Sequence, residues 1–188
     1  MLFRSVGKPY PDNEFKIVSR DTGEELSRGM TGEIIISGPV VMKGYYDNTE
    51  AGEEVLIKDT DGKIWLHTGD MGYMDDDGLV YFKGRFKNII VSNGYDIYPS
   101  AIENVLSSVE GVIECAVVGI SDTKRGQVPR VYIVADESYV KQELDLRIRE
   151  RLEECVAGYA IPKDIRYIDS LPRTGIGKVD IMALSGKE

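Results

Sequence analysis

The stretch GRFKNIIVSNGYDIYPSAIE, Gly84 to Glu103, lies where the hydrophobic pattern of the chain changes. Before it, short apolar runs are separated by Asp-Gly pairs, which is typical of β-hairpins. After it, apolar residues recur at helical spacing, and Pro99 suits a helix start because its missing N–H would have no intrahelical partner there. We therefore predict two domains, residues 1–84 and residues 85–188.

Residues 1–84 predict a small β-barrel-like subdomain. EFKIV (Glu14 to Val18) alternates apolar and polar residues, and GEIIISG (Gly32 to Gly38) is an apolar run bounded by glycines. Further strand-like runs follow Asp61-Gly62 and Asp77-Gly78, which are hairpin signals. The acidic runs KDTDG and MDDDG lack the first acid of a calcium-binding EF-hand loop, so we interpret them as turns and predict no metal site.

Residues 85–188 predict a three-stranded sheet flanked by helices, so the fold class of the whole chain is α+β. A first helix follows Pro99 and ends near Gly111. A second carries four apolar residues at intervals of four: Val140, Leu144, Ile148 and Leu152. The strands are predicted at 112–120, 130–136 and 164–168, with a loop at 121–129.

Composition argues against some classes of function. The 188 residues carry a net charge of −9, which disfavours a nucleic-acid partner held by a basic field. No apolar run approaches the roughly 20 residues that span a bilayer. Cys115 and Cys155 lie in apolar-periodic segments, so we expect buried free thiols and a cytoplasmic location. The first five residues match no helix or strand pattern, and we expect the chain to begin inside something larger.

The stretch RTGIGKVD, Arg173 to Asp180, places a lysine behind two glycines. It is not a Walker phosphate loop, because Pro172 replaces the first glycine and Val179 replaces the magnesium-binding hydroxyl. Glycine permits positive φ and close approach to a ligand, so Lys178 can meet an anionic oxygen at a loop tip. The alternative is a solvated lysine, and this stretch alone leaves both open.

Four segments, taken together, carry a family resemblance: GEIIISGPVVMKGYY, HTGDMGYMDDDGLVYFKGR, GRFKNIIVSNGYDIYPSAIE and LPRTGIGKVD. In this order and spacing they resemble the C-terminal motifs of the adenylate-forming (AMP-binding) enzymes, and most of all the acyl-CoA synthetases. The resemblance implies activation of a carboxylic acid with ATP to an acyl-adenylate, then transfer of the acyl group to coenzyme A. It also implies that residues 1–84 are the C-terminal β subdomain of a large AMP-binding domain, and residues 85–188 a mobile C-terminal domain.

The resemblance assigns nucleotide contacts to three residues. Asp70 of HTGD would accept hydrogen bonds from the ribose hydroxyls of ATP and AMP, and Arg85 would contact the same region. The alternatives are a turn residue after Gly69 for Asp70 and a surface salt bridge for Arg85. Lys178 would be the catalytic lysine that reaches the carboxylate and α-phosphate during adenylation. No catalytic role is implied for His67, which we expect to be a packed strand residue.

Two further assignments concern movement and the thiol substrate. Lys87 occupies the hinge position of the family, where Lys or Asp is found. Asn93 and Gly94 match the turn at which the pantetheine arm of coenzyme A passes close to the backbone. An ordinary solvated lysine and an ordinary Asn-Gly turn are the alternatives.

Other parts of the family's site are absent from the sequence. The Ser/Thr/Gly-rich phosphate loop and the segment that binds adenine and magnesium are not found in the 188 residues. We therefore expect a C-terminal fragment that is inactive alone, with Mg²⁺ and the acid pocket supplied by a missing N-terminal domain. Two alternatives stay open: an adenylation domain that serves a carrier protein, and a noncatalytic binding module.

Overall fold

The computed structural model describes residues 5–186 and divides the chain into two compact units, the first ending at Lys87 and the second beginning at Asn88. The boundary predicted from the sequence lies before Arg85. Among the helices of the described residues, none is long and apolar enough to cross a membrane.

The first unit contains an antiparallel sheet of six strands. These are β1 (Ser5–Gly7), β2 (Glu14–Val18), β3 (Gly32–Ser37), β4 (Leu56–Lys58), β5 (Ile64–Met74) and β6 (Val80–Arg85), with helix α1 (Thr49–Val55) before β4. The strand order is β1-β6-β5-β3-β2, and β4 pairs with β5. Within residues 5–186 no pairing joins β1 to β2, so the predicted barrel-like subdomain is an open half-barrel.

Aspartates close the two hairpins predicted at the Asp-Gly pairs. Asp59 Oδ1 accepts hydrogen bonds from the backbone N–H groups of Asp61 and Lys63 at 3.0 and 2.9 Å. Asp59 Oδ2 accepts one from Trp65 Nε1 at 2.9 Å, and this bond is the main cause that lowers the pKa of the Asp59 carboxyl. Asp75 Oδ1 accepts from the backbone nitrogen four residues later at 2.8 Å. These acids therefore act as turn acceptors, as the sequence analysis proposes.

Strand β3 is buried along almost its whole length. Ile34 packs in a cluster with Ile17 and Val80, and Ile35 packs in a different cluster with Trp65. Because successive side chains of a strand point to opposite faces, β3 is held from both sides. It is a firm support for the residues that pair with it.

The second unit contains a mixed sheet of five strands and, within the described residues, three α-helices. The elements are β7 (Ile90–Ser92), β8 (Tyr95–Ile97), α2 (Pro99–Leu106), β9 (Val112–Asp122), β10 (Gly126–Ala135), α3 (Lys141–Cys155), β11 (Asp164–Tyr167) and α4 (Ile181–Ser185). The path is β11-β10-β7-β8, with β9 paired to β10. Only β10 and β11 run parallel among these described pairs.

The predicted count of three strands is wrong, because the hairpin β7–β8 adds two. Each has three residues, which is too few for an alternating pattern to stand out. The predicted loop at 121–129 is also wrong: β9 runs to Asp122 and β10 starts at Gly126. Asp122 Oδ1 accepts hydrogen bonds from the N–H groups of Lys124 and Arg125 at 2.9 and 2.8 Å, so three residues suffice for the turn.

The helices of the second unit agree with the predicted spacing only in part: Val140 is the exposed residue that precedes α3, and α2 ends at Leu106, before the predicted end near Gly111. Helix α2 begins with Pro99 at its first turn. Helix α3 buries Leu144, Ile148 and Leu152. These residues pack on one face of the sheet, while Leu184 of α4 belongs to a separate cluster with residues of β9.

The two cysteines differ from each other. Both are free thiols, but Cys155 is exposed, so the prediction of burial is wrong for it. It is the last residue of α3, and it lies three positions beyond the buried Leu152. Cys115 is partly buried, and burial raises the pKa of its thiol.

Candidate functional site

The HTGD motif forms a bulge in β5. Glu33 of β3 pairs with Met71, and Ile35 pairs with His67, so one residue of β3 faces three residues of β5. Gly69, in the middle of the three, has φ of 68°, which glycine adopts without steric cost. Bulges of this kind redirect side chains at sheet edges and active sites. Here the redirected residue is Asp70.

Hydrogen bonds from β3 hold the bulge. Thr68 Oγ1 donates to the carbonyl oxygen of Ile34 at 2.6 Å and accepts from the N–H of Asp70 at 3.0 Å. The N–H of Gly69 donates to Glu33 Oε1 at 2.9 Å. The backbone around Asp70 is thus fixed by its own neighbours.

Asp70 lies opposite Arg85 in the β5–β6 pair. Arg85 Nε is 2.8 Å from Asp70 Oδ1, which is the distance of an ion pair. The contact does not have the angle of a hydrogen bond, and among the described residues Asp70 Oδ1 is a buried side-chain oxygen without a hydrogen-bond donor. Buried polar atoms are nearly always satisfied; here the ion pair with Arg85 compensates the charge of this oxygen, which keeps the capacity to accept a hydrogen bond.

Lys87 is exposed and lies in a short 3₁₀ turn, Phe86–Asn88, where the first unit ends. It is separated from the paired residue Arg85 by one position. A residue at such a place can change φ and ψ without breaking a sheet.

Lys178 belongs to a compact loop, residues 173–179, which we call the tail loop. Arg173 and Val179 form an isolated antiparallel bridge. Within the loop, the N–H of Thr174 donates to the carbonyl of Lys178 at 2.7 Å, and the N–H of Gly177 donates to the carbonyl of Thr174 at 2.8 Å. Lys178 is exposed, and no ion pair holds its ammonium group among residues 5–186.

Arg173 fixes the tail loop to the sheet. Its Nη1 donates to the carbonyl of Gly177 at 2.9 Å, and its Nη2 lies 2.5 Å from Glu114 Oε1 on β9. The loop therefore has a defined place at the start of β9, although it is rich in glycine.

Asn93 and Gly94 form the turn of the β7–β8 hairpin. Their φ angles are 51° and 81°, as a two-residue turn of the Asn-Gly type requires. The N–H of Asn93 donates to the carbonyl of Arg125 at 2.9 Å, which ties the turn to the β9–β10 turn.

A cleft of about 260 Å³ lies beside this hairpin in the second unit. Three cationic residues line it: Lys124, Arg125 and Lys163. Asp122 and Asp164 line it too. The Asp122 carboxylate is engaged by backbone N–H groups.

Asp164 is also engaged, because it forms ion pairs with two arginines. Arg130 Nε lies 2.5 Å and Arg166 Nε 3.2 Å from its carboxylate oxygens. Burial opposes ionisation of Asp164, but the hydrogen bonds from Arg130 and Arg166 outweigh it and lower its pKa. The cleft is therefore suited to an anion.

The tail loop and the cleft lie at opposite ends of β9. The tail loop is anchored at Glu114, whereas the cleft is lined by Asp122. Eight residues of strand at about 3.4 Å each separate them by roughly 27 Å. The structure thus brings Asp70 together with Arg85, and Asn93 with the cleft, but keeps Lys178 apart from the cleft.

Two family models match the chain, and both describe one family. The AMP-binding enzyme model matches residues 2–46, and the AMP-binding enzyme C-terminal domain model matches residues 101–178. The chain belongs to this family of adenylate-forming enzymes.

Relatives and solved structures agree with the family. A long-chain-fatty-acid–CoA ligase of Bacillus subtilis is 40% identical over 177 residues, covering 93% of this chain and 30% of the relative. A feruloyl-CoA synthase of an Amycolatopsis species is 43% identical over 160 residues, covering 84% and 31%. The o-succinylbenzoate CoA synthetase of Bacillus subtilis, solved with its acyl-adenylate intermediate, is 36% identical with a TM-score of 0.82, covering 97% of this chain and 35% of that one. The chain spans about a third of the length of the curated relatives it matches.

Three parts of the site were not predicted from the sequence: Glu33, Arg173 and the cationic cleft. Glu33 is a charged residue inside an apolar strand run, and this unusual placement is the feature of the sequence that could have indicated a role for it. Arg173 stands at the start of RTGIGK, but its partner Glu114 is 59 positions away and no local pattern links them. The cleft joins turns that are distant in sequence.

Proposed function

We propose that the chain is the C-terminal part of an AMP-forming acyl-CoA ligase, which we call the intact ligase. In the first half-reaction a carboxylate oxygen attacks the α-phosphorus of ATP and pyrophosphate leaves. In the second, the thiol of coenzyme A attacks the acyl carbonyl, loses its proton, and AMP leaves. The observation that carries the proposal is the Asp70 carboxylate of the HTGD bulge: its buried Oδ1 is ion-paired with Arg85 and accepts no hydrogen bond from residues 5–186.

Asp70 would hold the ribose of the nucleotide. Two adjacent hydroxyl groups can donate to the two oxygens of one carboxylate, and charge-assisted bonds of this kind are the stronger ones. Arg85 lies at ion-pair distance from this carboxylate and is placed to contact the same ligand.

Lys178 would act on the adenylation step. Its ammonium is exposed on the tail loop and free of ion pairs within the described part of the chain, so it is available to negative oxygens. Charge builds on oxygen as the carboxylate attacks phosphorus, and a positioned cation stabilises that charge.

The separation of roughly 27 Å along β9 supports the use of two ends of the second unit for the two half-reactions. The tail loop would serve adenylation, and the end with Asn93 and Gly94 would serve transfer to the thiol. Lys87 would be the hinge, since it lies where the first unit ends and is exposed.

Magnesium would be held by the substrate phosphates and by the remainder of the intact ligase. Within residues 5–186 no group of three or more His, Cys, Asp or Glu residues is placed to hold a metal ion. We also propose that the 188-residue chain alone does not adenylate acids, since the family's phosphate loop and its adenine- and magnesium-binding segment do not occur in its sequence. Pyrophosphate release above background by the purified chain would contradict this.

The cationic cleft favours coenzyme A over a carrier protein as acceptor. Free coenzyme A brings phosphate groups, which Lys124, Arg125 and Lys163 beside the Asn93–Gly94 turn can attract. A carrier protein presents its pantetheine through a protein surface and has no free nucleotide to place there.

Removing the cleft cations should weaken the use of coenzyme A. In the intact ligase we expect Lys124→Ala and Lys163→Ala each to raise the KM for coenzyme A by roughly 3- to 10-fold, as for a solvent-screened charge contact, and to leave acyl-adenylate formation unchanged. The assay is thioester formation from a panel of acids chosen from the relatives: a long-chain fatty acid, ferulate and 2-succinylbenzoate.

Lys141→Ala is the matched control for the cleft variants. Lys141 stands over the Tyr167 ring, is not among the cleft residues, and should leave the KM for coenzyme A unchanged. If the cleft variants leave it unchanged as well, while a carrier protein accepts the acyl group, the acceptor we propose is wrong.

The geometry of the tail loop offers a second test with an internal control. Gly177 has φ of 80°, whereas Gly175 lies outside the positive region, and a Cβ would meet no atom within 4 Å at either position. Alanine at position 177 would therefore either introduce about 1–2 kcal/mol of backbone strain or cause the loop to change its conformation. We expect Gly177→Ala to slow adenylation in the intact ligase by roughly tenfold.

Gly175→Ala adds the same methyl group without the strain and should keep the wild-type rate. Both variants are compared by pyrophosphate exchange. Equal effects of the two would show that the conformation of this loop does not control the position of Lys178.

A further inference from the structure

We infer that Glu33 is a positioning residue for nucleotide binding: it holds the bulge from which Asp70 projects. The inference rests on the proposed function, since it assigns Glu33 to the ribose site. Glu33 would not touch the nucleotide. It acts through the backbone of the HTGD bulge.

Burial and hydrogen bonding single out Glu33. Its exposed fraction is 8%, which is unusual for a carboxylate because a buried charge must be compensated. Oε1 accepts the N–H of Gly69 at 2.9 Å, and Oε2 lies 3.0 Å from Nδ1 of His67. Both oxygens are therefore used, and both bonds go to the bulge.

The partners of Glu33 are the residues just before Asp70. His67 is the paired residue just before the bulge, and Gly69 is the middle residue of the bulge. The Glu33 carboxylate bonds to both, so it fixes the start and the middle of the bulge. Thr68 adds its bond to the carbonyl of Ile34, the residue after Glu33. The bulge is thus fastened to two consecutive residues of the buried strand β3.

This arrangement also gives His67 a role. It is a strand residue, as expected, but its ring is 29% exposed and bonded to Glu33, so it is not a simple packing residue. Its Nδ1 donates to the carboxylate either as the neutral tautomer or as the cation.

The geometry predicts a graded series of variants. Glu33→Gln retains one carbonyl oxygen, which can accept from Gly69, but its NH2 group can bond to Nδ1 of His67 only if the imidazole changes to the tautomer in which Nδ1 accepts. Glu33→Ala removes both acceptors. In the intact ligase we expect the Kd for AMP to rise about threefold for Glu33→Gln, which weakens one of the two bonds from Glu33 to the bulge. We expect a rise of roughly tenfold for Glu33→Ala, which removes both bonds.

A double-mutant cycle separates positioning from a general structural role. If Glu33 acts through Asp70, then in an Asp70→Ala background the further change Glu33→Gln should leave the Kd for AMP unchanged, although it lowers the melting temperature in both backgrounds. A merely structural Glu33 would lower the melting temperature and leave the Kd for AMP of the folded protein at the wild-type value. That result would overturn the inference.

The experiment also distinguishes failure of the inference from failure of the proposed function. AMP binding to the intact ligase is measured by titration calorimetry at a temperature where each variant is folded, with Glu25→Gln as control. Glu25 is a surface glutamate paired with Lys16 and should bind AMP as the wild type does. If Asp70→Ala itself binds AMP normally, the ribose site is wrong; if only the Glu33 variants bind normally, the positioning role is wrong.

Discussion

Replacing Lys178 with alanine should slow acyl-adenylate formation by the intact ligase by roughly 10²–10³-fold, as the loss of one positioned charge-stabilising donor does. The ammonium is a compact charge on a long stem, carried by a loop that Arg173 fixes to β9. It is exposed, so the effect should be on the reaction and not on folding. The melting temperature should therefore stay within about 1 °C of the wild type, as is usual for an exposed surface substitution.

The measurement is ATP–pyrophosphate exchange with the panel of acids named above. Lys141→Ala is again the matched control and should exchange at the wild-type rate. If Lys178→Ala kept full exchange, the tail loop would have no part in adenylation, and the second unit would be better described as a noncatalytic binding module.

Replacing Asp70 with alanine should weaken nucleotide binding by roughly 10²-fold, because two hydrogen bonds to a charged group are lost. Asp70→Asn keeps one acceptor oxygen but adds a donor that faces the ribose hydroxyls, so we expect a loss of about tenfold. Arg85 would also be left without its partner in the alanine variant.

Titration of AMP into the intact ligase measures this effect. Asp76→Asn is the control, since Asp76 is exposed in the β5–β6 hairpin and should bind AMP normally. An unchanged Kd for Asp70→Ala would mean that the buried Oδ1 faces no ligand.

Much of the fold could be predicted from the sequence because its long elements have clear periodicity. Helix α3 buries residues at intervals of four, and β2 and β3 match their predicted runs within one residue. The elements that could not be predicted are those too short to show a hydrophobic periodicity. β7 and β8 have three residues each, and they exist because the Asn93–Gly94 turn lets them pair.

The candidate site could be predicted only where a motif carries it. Asp70 and Lys178 each lie in a short contiguous motif, so the family resemblance was enough to assign a role to them. Glu33 and Arg173 could not be predicted because their partners are distant in the sequence. Glu33 bonds to Gly69, 36 positions away, and Arg173 bonds to Glu114, 59 positions away. Such contacts follow from strand register, which a single sequence does not reveal.

In the proposed mechanism the second unit serves the two half-reactions with two separate ends, and a comparison of both half-reactions in two variants can show whether it does. Lys178→Ala and the double variant Lys124→Ala/Lys163→Ala are assayed for pyrophosphate exchange, and for thioester formation from a supplied acyl-adenylate. We predict a crossed result: Lys178→Ala loses exchange and retains transfer, and the double variant retains exchange and has a raised KM for coenzyme A in transfer. If both variants impaired the same half-reaction, the second unit would not divide the two half-reactions between its two ends.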